Sequence, residues 1–413
     1  MKKILRGIFC LGIIWSFWHC AKKEGTAEGE AATNLPNFGR VVLDEPVLRK
    51  QEDSLTMALA EYYQRVWSDG DLWGGLLVAK GDEIVYENYR GFAQEGQTQP
   101  IDGNTPLHVA SVSKTITAMM VLKLAEAGML GLDDPLTRFF PKFPYPGITV
   151  KMLLNHRSGL PKYEHFIDHI EAKEPVLSQK FIHNSEVLDL LIRYKPEAAR
   201  NPDTGFMYCN TNYALLALIV EKVTGVDFPE AARQMVFRPL KMNHTYVFQA
   251  KDTLRASKSF YSKGPRVYPY DRLDLIYGDK NVYTTPRDLY RFSRAMYTEG
   301  FLKEDLMAQV FVPYSNEKAG VNNYGLGFRM KIFEDGRRLT YHNGWWHGSN
   351  SVFAHLQDSK VTIVAIGNKY SQRVYSALAL SALFEPFPYE MAKFRQVMGD
   401  TLPSAEEAGD GSE

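Results

Sequence analysis

Ser111 and Lys114 lie three residues apart in His108-Val-Ala-Ser-Val-Ser-Lys114, ahead of an apolar run that ends at Gly128. The run from Ile116 to Leu124 has helical period, which predicts a helix opening at Ser111. Positions i and i+3 share a helix face, so a lysine at 114 can reach a serine hydroxyl at 111. A serine hydroxyl is a poor nucleophile near neutral pH and needs an adjacent base or cation. A helix N-terminus adds unpaired N–H groups and the positive end of the dipole. The chemistry suggested is nucleophilic attack by Ser111 on an acyl group. The spacing alone is cheap, because Ser315 and Lys318 repeat it in a polar stretch with no helical run behind it.

A second pair, Tyr208 and Asn210, follows a Pro-Asp-Thr-Gly loop and stands where a helix begins. A tyrosine beside a lysine could take the proton of Ser111. An asparagine amide could orient the lysine or a substrate carbonyl. Tyr-x-Asn also occurs at 86–88, 314–316 and 341–343, positions that suit packing and turn roles. The third group is His342-Asn-Gly344-Trp345-Trp346, at the end of a predicted strand. There a backbone N–H could face a developing oxyanion, Gly344 would allow close approach of substrate, and His342 could complete a proton network. His165, Asp168 and His169 have a spacing that can bind zinc, but they read better as a polar helix face. There is no Gly-x-Ser-x-Gly elbow, which argues against an α/β-hydrolase.

The elements that must position these groups form a pattern of strands at both ends and helices between. A helix is expected over 51–69, then a hairpin over 74–80 and 83–89 around Gly81-Asp82. Helices are expected at 148–155, 185–194, 212–224, 228–239 and 285–297, with a polar, tyrosine-rich loop at 252–280 over a cleft. A β-meander over 324–367 and a closing helix at 375–384 complete the reading. The fold class is α+β: one antiparallel sheet from 51–110 and 320–390, flanked by helices, with an inserted helical lobe at about 130–310. The whole domain would span 51–400, followed by an acidic tail at 401–413.

Equal numbers of basic and acidic residues, 48 each, give no field that would recruit nucleic acid. Residues 1–19 read as a signal peptide, with a basic start and an apolar stretch too short to span a membrane comfortably. Cys20 stands where a bacterial lipoprotein is cut and lipidated, and 20–50 reads as a flexible tether. The expected location is therefore the cell envelope, by export and a lipid anchor. Cys209 is the one cysteine left in the folded part, so no disulfide can staple it.

Taken together, the three groups resemble the serine β-lactamase and penicillin-binding-protein superfamily, in its class C-like branch. Supporting phrases are Gly131-Leu-Asp-Asp-Pro135, Leu153-Leu-Asn-His-Arg-Ser-Gly159, Tyr208-Cys-Asn-Thr-Asn-Tyr213, Val282-Tyr-Thr-Thr-Pro-Arg-Asp288 and Tyr324-Gly-Leu-Gly327. The resemblance implies a β-lactamase/transpeptidase-like fold with Ser111 as acylated nucleophile. It implies Lys114 and Tyr208 as the proton-handling pair, Asn210 as positioning residue and the N–H groups of Ser111 and Trp345 as oxyanion hole. It calls for no metal or cofactor. His342 replaces the lysine usual in class C enzymes and is not a permanent cation; Trp345-Trp346 is bulky. Both features favour an ester or a D-amino-acid peptide or amide, small or of peptidoglycan type, over a β-lactam. A non-catalytic module of the same fold, binding cell-wall peptides, is the alternative, against which the intact motifs count.

Overall fold

Residues 361–367 are apolar but for Thr362, the signature of a strand covered on both faces. The structure, a computed structural model, describes residues 35–398 except Arg40. In chain order its strands are β1 (Val47–Leu48), β2 (Gly74–Lys80), β3 (Glu83–Arg90), β4 (Leu107–His108), β5 (Tyr246–Val247) and β6 (Val282–Thr284). They continue with β7 (Asn322–Tyr324), β8 (Arg329–Ile332), β9 (Arg338–Trp346), β10 (Ser349–Leu356) and β11 (Val361–Gly367). The main sheet runs β1-β3-β2-β11-β10-β9-β8-β7, and β4-β6-β5 form a small second one. Every pairing is antiparallel except β1 with β3, so the sheet is mixed rather than wholly antiparallel as expected.

Period-two alternation divides the strands between two cores. Val352 and Ala354 of β10, with Ile363 and Ala365 of β11, pack against helix α1 (Ser54–Tyr63) and the 3₁₀ segment Gln372–Leu383. Phe353, Val364 and Ile366 face the other way, toward helix α2 (Ser113–Glu126) and the helix Pro286–Met296. α2 is buried nearly all round, from Ser113 to Leu124. A helix with no solvent face must lie inside, and that carries Lys114 into the interior. The helices Asn210–Thr224 and Asn184–Tyr194 pack beyond it, on the lobe inserted between β4 and β7.

Several local expectations change. The segment read as a closing helix at 375–384 is 3₁₀, and a helix at Pro388–Met398 follows it. The stretch expected to be tether packs on the domain from residue 35 onward. Phe38 is fully buried, its ring 4.1 Å from that of Phe301, and Val47–Leu48 extends the sheet. One buried ring and one two-residue strand pairing outweighed a polar composition. The signal segment 1–19, Cys20 and the tail 401–413 lie outside the described residues. Among the described residues no helix is long and apolar enough to cross a membrane.

Candidate active site

Ser111 sits in a 3₁₀ turn, Ala110–Val112, that leads directly into α2. Ala110 adopts φ 46°, a left-handed conformation costly for a residue with a Cβ, and so turns the chain sharply before the serine. Lys114 Nζ donates to Ser111 Oγ at 3.0 Å and to the Asp279 carbonyl at 2.7 Å. The lysine is fully buried, whereas Ser111 keeps part of its surface. The rings of Tyr208 and Tyr213 lie 5.0 and 5.7 Å from Nζ, which gives the cation two aromatic faces in place of water.

Tyr208 and Asn210 come from the loop before the helix Asn210–Thr224, and both are half-buried. Among the described residues no hydrogen bond joins the Tyr208 hydroxyl to Ser111; its ring faces the lysine instead. Asn210 does not touch Lys114 through a hydrogen bond. Its Nδ2 donates to Glu164, and its Oδ1 is buried without a partner. The lysine is held by a main-chain carbonyl rather than by the asparagine amide.

His342 projects from β9 toward Tyr208, with ring centroids 6.2 Å apart. Its Nδ1 lies 2.8 Å from the Asn343 carbonyl and must donate to it, and in the neutral ring Nε2 then accepts from the Tyr324 hydroxyl at 3.0 Å. Burial, followed by the charges of Arg329 and Lys114, holds the His342 pKa well below the usual histidine value. His342 therefore offers no positive charge to a ligand.

Gly344 differs from expectation. A Cβ there would meet the Val109 carbonyl at 2.2 Å and Ser351 Oγ at 2.3 Å. The missing side chain makes room for the turn that carries Ser111, rather than for substrate. Trp345 lies opposite Asn350, one step from the two-residue turn that joins β9 to β10. In that register its N–H points away from β10. β8 pairs with β9 only as far as Tyr341, so the N–H faces an unpaired strand edge next to Ser111. The two tryptophans divide: Trp345 is 62% exposed on the far face, while Trp346 donates to Asp274 at 2.5 Å under the Lys280 ammonium. Only Trp346 can narrow the cleft. Asp168 pairs with Arg272, and His169 bonds the His165 carbonyl, so the histidines of the zinc-like spacing are ordinary helix-surface groups.

Several neighbours were not anticipated. His156 lies 4.3 Å from the Tyr208 ring, and its Nδ1 accepts from the Cys209 N–H and from Asn212. Tyr324, Asp279 and Arg329 join it. Two of the four sit in phrases already singled out, Asn-His-Arg-Ser-Gly and Tyr-Gly-Leu-Gly, but nothing in those phrases states a role.

Four histidines, His108, His156, His342 and His355, are buried and uncharged. Burial lowers His108 and His355 to about 3, and lowers the other two as well. Unfolded, each titrates near 6.5. The unfolded chain therefore binds more protons below that value, and stability present above pH 6.5 is lost as pH falls toward 3. Each such histidine costs about 1.4 kcal/mol per pH unit in that window. Thermal melts between pH 7.5 and 5, above the carboxylate range, should show a progressive fall. A flat profile would mean that these rings are charged or exposed.

The family model described as Beta-lactamase matches residues 60–383. Penicillin-binding protein 4* of Bacillus subtilis is 30% identical over 329 residues, which are 75% of this chain and 71% of that protein. A D-aminopeptidase of Cereibacter sphaeroides is 23% identical, over 74% of this chain and 58% of its own. Among solved structures, a penicillin binding protein from Bacillus halodurans superposes with a TM-score of 0.68 at 25% identity, covering 81% of this chain and all of the other.

Proposed function

The chain belongs to the Beta-lactamase family, and from that premise we propose that it is a serine hydrolase acting through an acyl-Ser111 intermediate on D-aminoacyl esters or amides. The observation that carries the proposal is the 3.0 Å bond from a fully buried Lys114 to a partly exposed Ser111, with Tyr208 at the same ammonium. Ser111 Oγ attacks the substrate carbonyl, and its proton passes to the Lys114–Tyr208 pair. The N–H groups of Ser111 and Trp345 face the oxyanion. The C–O or C–N bond then breaks, and the leaving oxygen or nitrogen takes the proton that Ser111 gave up. Water repeats the sequence on the ester and frees Ser111.

Two observations support D-aminoacyl substrates over β-lactams. A neutral His342 lacks the fixed charge that would hold a β-lactam carboxylate from that position. One relative of similar length of match is named a D-aminopeptidase. The test is turnover of D-alanine p-nitroanilide and its L-isomer, with intact mass after exposure to a penicillin. Release from the D-isomer, or a covalent adduct on Ser111, is expected. Failure to turn over ester, amide or β-lactam, with no adduct, would leave a binding module of the same fold. Tyr208→Phe removes one member of the proton pair and should lower kcat by about 10²- to 10⁴-fold. An unchanged rate would leave Lys114 as the base alone.

A further inference from the structure

His347 and Gly348 form the two-residue turn between β9 and β10. A Cβ at Gly348 would meet the Phe260 carbonyl at 2.2 Å, so this turn and the loop 252–280 are pressed together. Three side chains meet at the join. His347 Nε2 stands 3.0 and 3.2 Å from the two Asp274 oxygens and 3.7 Å from Asp271 Oδ2. One ring nitrogen and one oxygen of each carboxylate lie within 4.8 Å of one another. Both carboxylates are oriented by N–H donors. Asp274 is buried, its Oδ1 accepting from Trp346 Nε1 at 2.5 Å and its Oδ2 from the Asp271 N–H at 2.6 Å. Asp271 Oδ1 accepts from the Leu273 N–H at 2.7 Å, which leaves Oδ2 toward His347. Charge at the join does not balance. Arg272 pairs with Asp168 and Glu171, and Lys280 lies beside Asp279 and donates to the Tyr163 hydroxyl. Among the described residues the two carboxylates have only His347 as an ion-pair partner.

We propose that Asp271, Asp274 and His347 form a binding site for a divalent transition metal of the zinc class, which clamps the β9–β10 turn to the loop 252–280. Ligand atoms about 2 Å from a tetrahedral ion lie about 3.3 Å apart. The separations of 3.0 and 3.7 Å from His347 Nε2 bracket that value. Three protein ligands leave the fourth position to water. An imidazole with two carboxylates suits zinc, whereas calcium and magnesium take oxygen ligands alone. The bond from Trp346 to Asp274 is the kind of support that fixes a ligand for a metal. The join lies two residues from Trp345, so the ion would hold the strand end that carries one of the N–H groups proposed for the oxyanion. The ion takes no part in the chemistry at Ser111, and the site stands or falls independently of the hydrolase reading.

The test uses the full-length protein, freed of metal with a chelator, dialysed, and titrated with zinc chloride by calorimetry beside thermal melts. Saturable binding of a single zinc ion at this join should raise the melting temperature, while equal calcium or magnesium leaves it unchanged. Asp271→Asn and His347→Gln should each weaken that binding tenfold or more. Trp346→Phe should weaken it by about tenfold, because it removes the donor that orients Asp274. His165 and His169, spaced i and i+4 on an exposed helix face, are the competing zinc ligands, and His169→Gln should leave the affinity unchanged. Absence of saturable zinc binding would overturn the proposal and leave an ion pair of His347 with Asp274. Binding that survives both Asp271→Asn and His347→Gln, or that is lost in His169→Gln, would overturn it too. So would an equal response to calcium. Asp271 is half-exposed, so Asp271→Asn decides the matter even where His347→Gln fails to fold.

Discussion

Ser111→Ala should abolish turnover, by about 10⁵-fold or more, while the protein stays folded. Removing the nucleophile of a covalent route leaves only binding and oxyanion contacts to favour hydrolysis, and these give a small residue of the full rate. The fold should tolerate the change because Ser111 is partly exposed and its Oγ bonds Lys114, which retains the Asp279 carbonyl. A melting temperature within a few degrees of wild type would accompany the loss. The same variant should show no mass increase with penicillin or with an activated D-alanyl ester. Retention of even one per cent of the wild-type rate by a clean preparation would take the nucleophile away from Ser111.

Lys114→Met should lower kcat/KM by about 10³-fold or more with little effect on stability. Among the described residues Lys114 makes the one side-chain hydrogen bond to Ser111, and it lies fully buried between two tyrosine rings and a carbonyl. Methionine fills a similar volume and leaves no unpaired charge, and replacing a buried cation by a packed apolar chain is often neutral for stability. The Asp279 carbonyl would lose its donor, at about 1 kcal/mol. Steady-state kinetics beside a thermal melt separates the two effects. A variant that melts normally and keeps activity within tenfold of wild type would show that Lys114 only fills space. A variant that fails to fold is answered by Lys114→Arg, which keeps a charge in the site but not the compact ammonium that reaches Oγ.

How much of this was legible follows from the range over which each feature is determined. The hairpin β2–β3 and the run 361–367 could be read because strand alternation and burial are local patterns. The end of the chain was harder. Pro386 and Pro388 bracket the start of the helix Pro388–Met398, and proline reads as a stop as readily as a first helical turn. The strand Val47–Leu48 was missed because two exposed residues in a polar stretch carry no periodic signal. Gly344 shows a different limit. A glycine beside a proposed site suggested space for substrate, whereas the space belongs to the Val109 carbonyl, 235 positions earlier in the numbering.

The sequence by itself determined that Ser111 and Lys114 share a helix face, that Tyr208 precedes a helix, and that His342 lies on a strand. Those relations depend on neighbours within a turn or a pleat, which residue order specifies directly. Only the tertiary structure decided what surrounds them. His156, Asp279, Tyr324 and Arg329 come from four separate stretches and meet because α2 and the sheet bury their apolar faces against each other. The charge state of His342 was decided there as well, since burial and two nearby cations set it. That Arg329 has no ion-pair partner among the described residues is likewise a property of the packed chain, because whether a cation has a partner depends on residues that only folding brings within reach.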